Sequence, residues 1–207
     1  MQDQNNKGSL EKLHKEELIG PLLKLLYSKP APSKTLNDIT FNRLIELESL
    51  NIVDHRSLWI GAIIADLFIY EARKAKDLKT HLPLAIEFAK QFIKEKEISN
   101  NKGNIILEII ETHHGGAQYH IESKLFKIAD CHKFLEPAGL IDLISDYYKN
   151  EGNSLSESIT LANNKLYEKF NLIQDIKELD RGFDIEASFN ISREFLERAQ
   201  LIASSLK

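Results

Sequence analysis

The chain has few of the residues that brace or interrupt a fold. Its single cysteine, Cys131, rules out an intramolecular disulfide and fits a reducing compartment. Five prolines and nine glycines in 207 residues leave long stretches in which a helix can run without a breaker. The longest apolar run, Leu58 to Tyr70, is too short to span a bilayer and contains Asp66. The opening residues, MQDQNNKGSLEK, lack the apolar stretch of a secretory signal. A cytoplasmic location is therefore expected. Charge of one sign is also missing. The net charge is -4, and Lys and Arg are scattered without a basic stripe interleaved with aromatics. That gives no electrostatic reason to expect nucleic acid or an anionic membrane as partner.

What is present describes an ordinary folded chain. Hydrophobic residues make up 43% and charged residues 28%, which argues against extended disorder. The length suffices for one full core with an appended segment. Leu10, Leu13, Leu18, Leu22, Leu25 and Leu26 recur at helical spacing and predict a helix over about 9–27. KPAPSK at 29–34 breaks it, because proline lacks a donor and restricts its predecessor.

Further helices are expected at 38–50, with Asn37 or Asp38 as cap, and at 55–76, capped by Asp54. Others follow at 81–97 after Thr80, at 104–114 ended by Gly115–Gly116, at 119–135, and from Pro137 to about Lys149. Ser154-x-x-Glu157 reads as a capping box for another, and a last helix is expected at about 190–206. No alternating strand pattern and no fixed-period repeat is found. The prediction is all-α: an N-terminal helix and linker (1–34), a helical core (35–150), and a C-terminal helical extension (151–207) packed on that core.

Several residues in this pattern call for partners. Asp66 lies in WIGAIIADLFIY, where apolar side chains cover nearly every direction around the helix, the mark of a buried central element. A carboxylate buried there costs several kcal/mol (about 2–7 even for a neutral polar group) unless it is paired, hydrogen-bonded, protonated or metal-bound. Capping of a neighbouring helix, or escape through a gap, is the plainer alternative. His113–His114 stand at a helix end beside two glycines, and neutral imidazole is a common metal ligand. Neighbours on a regular helix diverge by about 100°, so only one of the pair should point inward.

Asp130 lies four residues from both Phe126 and Phe134, on one helix face, and again needs a partner. His132 falls within the Leu125, Ile128, Ala129, Leu135 stripe and reads as a hydrogen-bonded core residue. His81 opens a helix, where a side chain can face a cleft. His55 is about 16 Å along the axis from Asp66, too far for one metal to join them. Glu111-x-x-His114 and Glu11-x-x-His14 have the spacing of carboxylate-bridged di-iron bundles. Gly115–Gly116, however, ends the helix that such a bundle would need to continue.

Taken in order, these segments resemble the HD-domain superfamily of metal-dependent phosphohydrolases over about residues 38–150. GAIIAD (61–66) is similar to the approach to the family's His-Asp pair, and THLPLAIEFAKQFI (80–93) to the next helix, with His81 at a ligand position of two-metal members. ILEIIETHHGG (106–116) is similar to the helix ending in paired histidines, and ESKLFKIADCHKFLEP (122–137) to the segment carrying the final Asp, here Asp130. The departures are specific. Ala65 stands for the His of the pair, Thr40 falls near the first-helix His, and Phe68 and Ile69 replace the Gly and Lys that often follow.

The resemblance implies an HD-domain-like helical bundle with additional N- and C-terminal helices. It implies a metal set drawn from Asp66, His81, His113, His114 and Asp130, with Asp66 and Asp130 as catalytic residues. The cofactor would be a divalent ion (Fe, Mn, Mg, Ni or Zn), or none where the site is degenerate. The expected activity is hydrolysis of a phosphate ester or nucleotide. The alternative is an inactive relative that binds a nucleotide or a protein partner. A homo-oligomer is left open.

Overall fold

The computed structural model describes residues 9–179 and 184–205. Among these it is all-α, with ten principal helices and no strand. In order they are α1 (Ile19–Tyr27), α2 (Lys34–Ser49), α3 (His55–Asp66), α4 (Ile69–Lys74), α5 (His81–Glu95) and α6 (Asn100–Thr112). They continue as α7 (Ile121–His132), α8 (Pro137–Asn150), α9 (Leu155–Ile173) and α10 (Ile185–Ser205). One 3-10 turn, Leu78–Thr80, precedes α5, and another, Gln174–Leu179, follows α9.

Local chemistry accounts for most of the ends. Asp54 caps α3 as expected, its carboxylate accepting from Ser57 N–H. Ser154 and Glu157 form the reciprocal capping box at the start of α9. Pro137 opens α8, where its missing donor would have had no partner in any case.

Other boundaries moved. The expected helix over 9–27 is two pieces, a short helical stretch at 9–13 and α1. Tight bonds from Lys15 N–H to Lys12 and from Glu16 N–H to Leu13 close the first piece. Helix α2 starts at Lys34 because Ser33, rather than Asn37 or Asp38, accepts from Leu36 N–H. The same hydroxyl donates to Asp142 at 2.6 Å, fixing the linker to α8.

The stretch 55–76 is also divided, with α3 ending at Asp66 and α4 beginning at Ile69. Helix α10 begins at Ile185, five residues earlier than expected, where the Asp184 carboxylate accepts from Ala187 N–H. The expected end of that helix at 206 lies outside the described residues.

Helix α3 is the axis of the molecule, packed by α1, α5, α6 and α7. Every residue from Ser57 to Asp66 is buried. Complete burial of an Ile or Leu side chain contributes about 1.5–3 kcal/mol, so this helix anchors the core. Gly61 permits the close crossing of α6: a Cβ there would lie 2.8 Å from the Ile109 side chain. That crossing aligns the C-terminal ends of α3 and α6. The C-terminal helices are joined to the same core. Lys169 of α9 is buried against Asp130 of α7, and Ser192 of α10 donates to the Leu135 carbonyl at 2.7 Å.

Candidate metal centre

Three imidazoles converge where α3, α5 and α6 meet. His81 is the first residue of α5, and its Nδ1–H donates to the Leu78 carbonyl in the preceding turn. His113 follows the last residue of α6, and its Nδ1–H donates to the Ile110 carbonyl at 2.7 Å. Both bonds run to a carbonyl three residues back. They fix the same tautomer in both rings and leave each Nε2 as a bare lone pair.

The Nε2 of His81 lies 3.1 Å from the Nε2 of His114. The rings of His113 and His114 have centroids 3.9 Å apart. A regular helix would have separated these two side chains. Because α6 ends at Thr112, the chain turns away through Gly115 and Gly116, both at positive φ, and both imidazoles reach one place. Glu108 holds the returning loop by accepting from the backbone N–H groups of Tyr119 and His120, each at 2.8 Å.

His113 is fully buried, and its Nε2 has no hydrogen-bond partner. An unsatisfied buried acceptor costs about 1–3 kcal/mol, so this atom calls for a ligand. Burial holds the His113 ring below the usual imidazole range, against the pull of Asp130 and Asp66. His114 is exposed at the rim of the group, and its ring is lowered by desolvation against its neighbours, with repulsion from His113 and Lys169 adding to it. Among the described residues, His81, His113 and His114 form a group able to hold a metal ion, with ligand atoms within 4.8 Å of one another.

Beneath the imidazoles lies a buried ion network. The Lys133 ammonium is 3.0 Å from Asp66 Oδ2 and 2.6 Å from Asp130 Oδ1. The Lys169 ammonium is 3.0 Å from Asp130 Oδ2. All four side chains are buried, and two positive charges balance two negative ones. Burial by itself would raise the Asp66 and Asp130 carboxyls, but Lys133 outweighs it at Asp66, and Lys133 together with Lys169 holds Asp130 well below the ordinary range. Burial would likewise lower Lys133, and the two carboxylates raise it instead. The Phe134 ring faces both ammoniums, 5.3 Å from Lys133 and 5.6 Å from Lys169. The second oxygen of Asp66, Oδ1, lies 3.9 Å from His113 Nε2, too long for a hydrogen bond.

The expected site residues therefore fall into two layers. His81, His113 and His114 face one another. Asp66 and Asp130 lie below them, with Asp66 touching both layers. Lys133 and Lys169 were missed. Each is legible after the fact: Lys133 sits one turn after Asp130 on the same face, and Lys169 falls in the Leu166, Phe170, Ile173 stripe. Thr40 and Ala65, which stand where the resemblance would have histidines, are buried without metal-binding chemistry. Thr40 Oγ1 donates to the Leu36 carbonyl.

The remaining histidines have other work. His132 is buried with its Nε2 3.3 Å from Glu136. His55 contacts Glu48 and Glu16, and His120 contacts Glu108. Of the di-iron spacing only His114 belongs to the imidazole group: Glu111 and Glu11 are exposed, and His14 packs against the Tyr27 ring. Comparison of the chain with protein-family models, with curated proteins and with solved structures finds no match to any of them.

Proposed function

We propose that the chain is a metal-dependent phosphohydrolase of HD-domain-like build, acting on a phosphate ester or nucleotide through one divalent ion held by His81, His113 and His114. One observation carries this reading: the buried, unpartnered Nε2 of His113 converges with the Nε2 atoms of His81 and His114. The donor set fits an ion. Metal-bound histidines usually give their other ring N–H to a carbonyl or carboxylate, as His81 and His113 do. The Nε2 of His81 accepts a hydrogen bond from His114 at 3.1 Å, and an ion would replace that proton, drawing in ligand atoms that lie within 4.8 Å of one another.

Imidazole donors suit Zn, Fe or Ni better than Mg. Three protein ligands leave positions for water and substrate. Bound there, an ion would acidify water and polarise a phosphoryl oxygen.

The chain's own residues would supply the rest. The ligands are neutral and the network below is internally balanced, so the positive charge of an ion would be left to attract an anionic substrate. Asp66 Oδ1, 3.9 Å from His113 Nε2, would accept a hydrogen bond from water at that position and orient it. Asp130 would act through Lys133, holding Asp66 ionised and still. Elemental analysis of the purified protein should find about one ion per chain, as expected of a three-ligand site. Turnover on a phosphoester panel should vanish, together with the metal, in His113→Ala. A folded wild type that neither takes up Zn2+, Fe2+ or Ni2+ nor turns over any phosphoester would sink the proposal.

A second reading is an inactive HD-like protein that binds a nucleotide or a protein partner. Its support is that Lys133 bonds both carboxylates and that Thr40 and Ala65 offer no ligand. Thermal stabilisation by nucleotides without turnover would favour it.

A further inference from the structure

Lys133 makes contacts of the kind a metal ion makes. Its ammonium lies between two carboxylates from different helices, 3.0 Å from Asp66 and 2.6 Å from Asp130. An ammonium is a compact point charge. Here its stem and head are both buried, so water does not share the task of neutralising the two acids. Lys169 closes the other side of Asp130. The Asp66 oxygen that Lys133 leaves free, Oδ1, lies 3.9 Å from the His113 Nε2, which is fully buried and without a partner. Oxygen atoms from two acids thus flank a position already held by a covalently tethered cation.

We propose that the Lys133 ammonium is a resident cation standing in for a metal ion between Asp66 and Asp130, and that removing it opens a second, carboxylate-rich metal site beneath the imidazoles. The wild-type centre is thereby limited to one ion. The released site offers hard carboxylate oxygens, a donor set suited to Mn2+. Electrostatics set the direction. With Lys133 gone, two buried carboxylates face one remaining ammonium, and the resulting negative charge makes divalent binding strongly favourable. The proposal builds on the imidazole metal site, yet the two can fail separately.

The test is Mn2+ binding to the full-length protein, followed by equilibrium dialysis and electron paramagnetic resonance. The variants are Lys133→Met and Lys133→Gln, the second retaining a hydrogen-bonding head. Each is expected to bind one Mn2+ more than the wild type. Adding Asp130→Asn should abolish that extra ion. If Lys133→Met is unfolded alone, refolding in Mn2+ should restore it. Equal Mn2+ stoichiometry in the wild type and both variants would overturn the proposal, as would unfolding of both variants that Mn2+ does not rescue. A wild type binding no Mn2+ and a variant binding one would uphold this inference, and the imidazole site is judged separately by Zn2+, Fe2+ or Ni2+ uptake in the wild type.

Discussion

Two groups of ionisable side chains centred on histidine occupy opposite electrostatic regimes in this molecule. At the start of α3, His55 is held between Glu48 and Glu16, with contacts of 2.5 and 2.9 Å. Trp59 donates to the other oxygen of Glu48. The ring is partly exposed, and the hydrogen bond to Glu48, helped by Glu16, raises its pKa to about 9. It is therefore a cation at neutral pH. Beyond the far end of the same helix, burial holds His113 below the imidazole range, and its free nitrogen is hydrogen-bonded to no acid, the nearest being Asp66 at 3.9 Å. One residue type thus becomes a surface ion-pair partner at one end and a buried, neutral imidazole at the other. What differs is where the carboxylates have gone: Glu16 and Glu48 pair with His55, whereas Asp66 and Asp130 pair with lysines.

This contrast can be broken at its strongest point first. Asp130→Ala removes the acceptor of two buried ammoniums, and breaking such a pair costs about 3–5 kcal/mol, readable as a lower denaturant midpoint. A loss below about 1 kcal/mol would mean that the network is solvated like a surface pair. Metal occupancy should sharpen the neutral side. Saturation at a hundredfold excess over Kd stabilises by about 2.7 kcal/mol, so a chelator should lower the Tm of the loaded protein and leave His113→Ala unchanged.

The two regimes should also show opposite pH trends. His113 has a folded pKa below its unfolded value of about 6.5, so its contribution to metal-free stability is lost as pH falls below that value. His55 has a folded pKa of about 9. Its contribution is full below about 6.5 and disappears as pH rises through 9. Comparing His55→Gln with the wild type at pH 6 and pH 10 should give a difference only at the lower pH. Glu16→Gln is the smallest change, costing under about 1 kcal/mol because the pair is partly exposed. A larger loss would show the clamp to be as desolvated as the centre.

Local rules made much of the fold legible. Asp54, Ser154 with Glu157, and Pro137 each start a helix because capping is settled by the few residues around it. The breaks within 9–27 and 55–76 escaped notice because the apolar spacing continues across them, and only packing decides which turns stay helical. At the site, Asp66 and Asp130 announced themselves as acids in apolar stripes. The adjacent imidazoles of His113 and His114 were visible, but not their convergence, since that depends on α6 stopping at Thr112.

The sequence alone determined the all-α class, the buried character of α3 and the acids that needed partners, because helical periodicity and the cost of burying charge act within one segment. Which partners those acids found was a tertiary decision. Lys133 is one turn from Asp130, but Asp66 lies 67 positions away from that lysine, and Lys169 comes from a helix beyond the core segment. Only the packing of α3, α7 and α9 brings these charges together. The crossing at Gly61 and the turn at Gly115–Gly116 then leave the His113 Nε2 above them unclaimed.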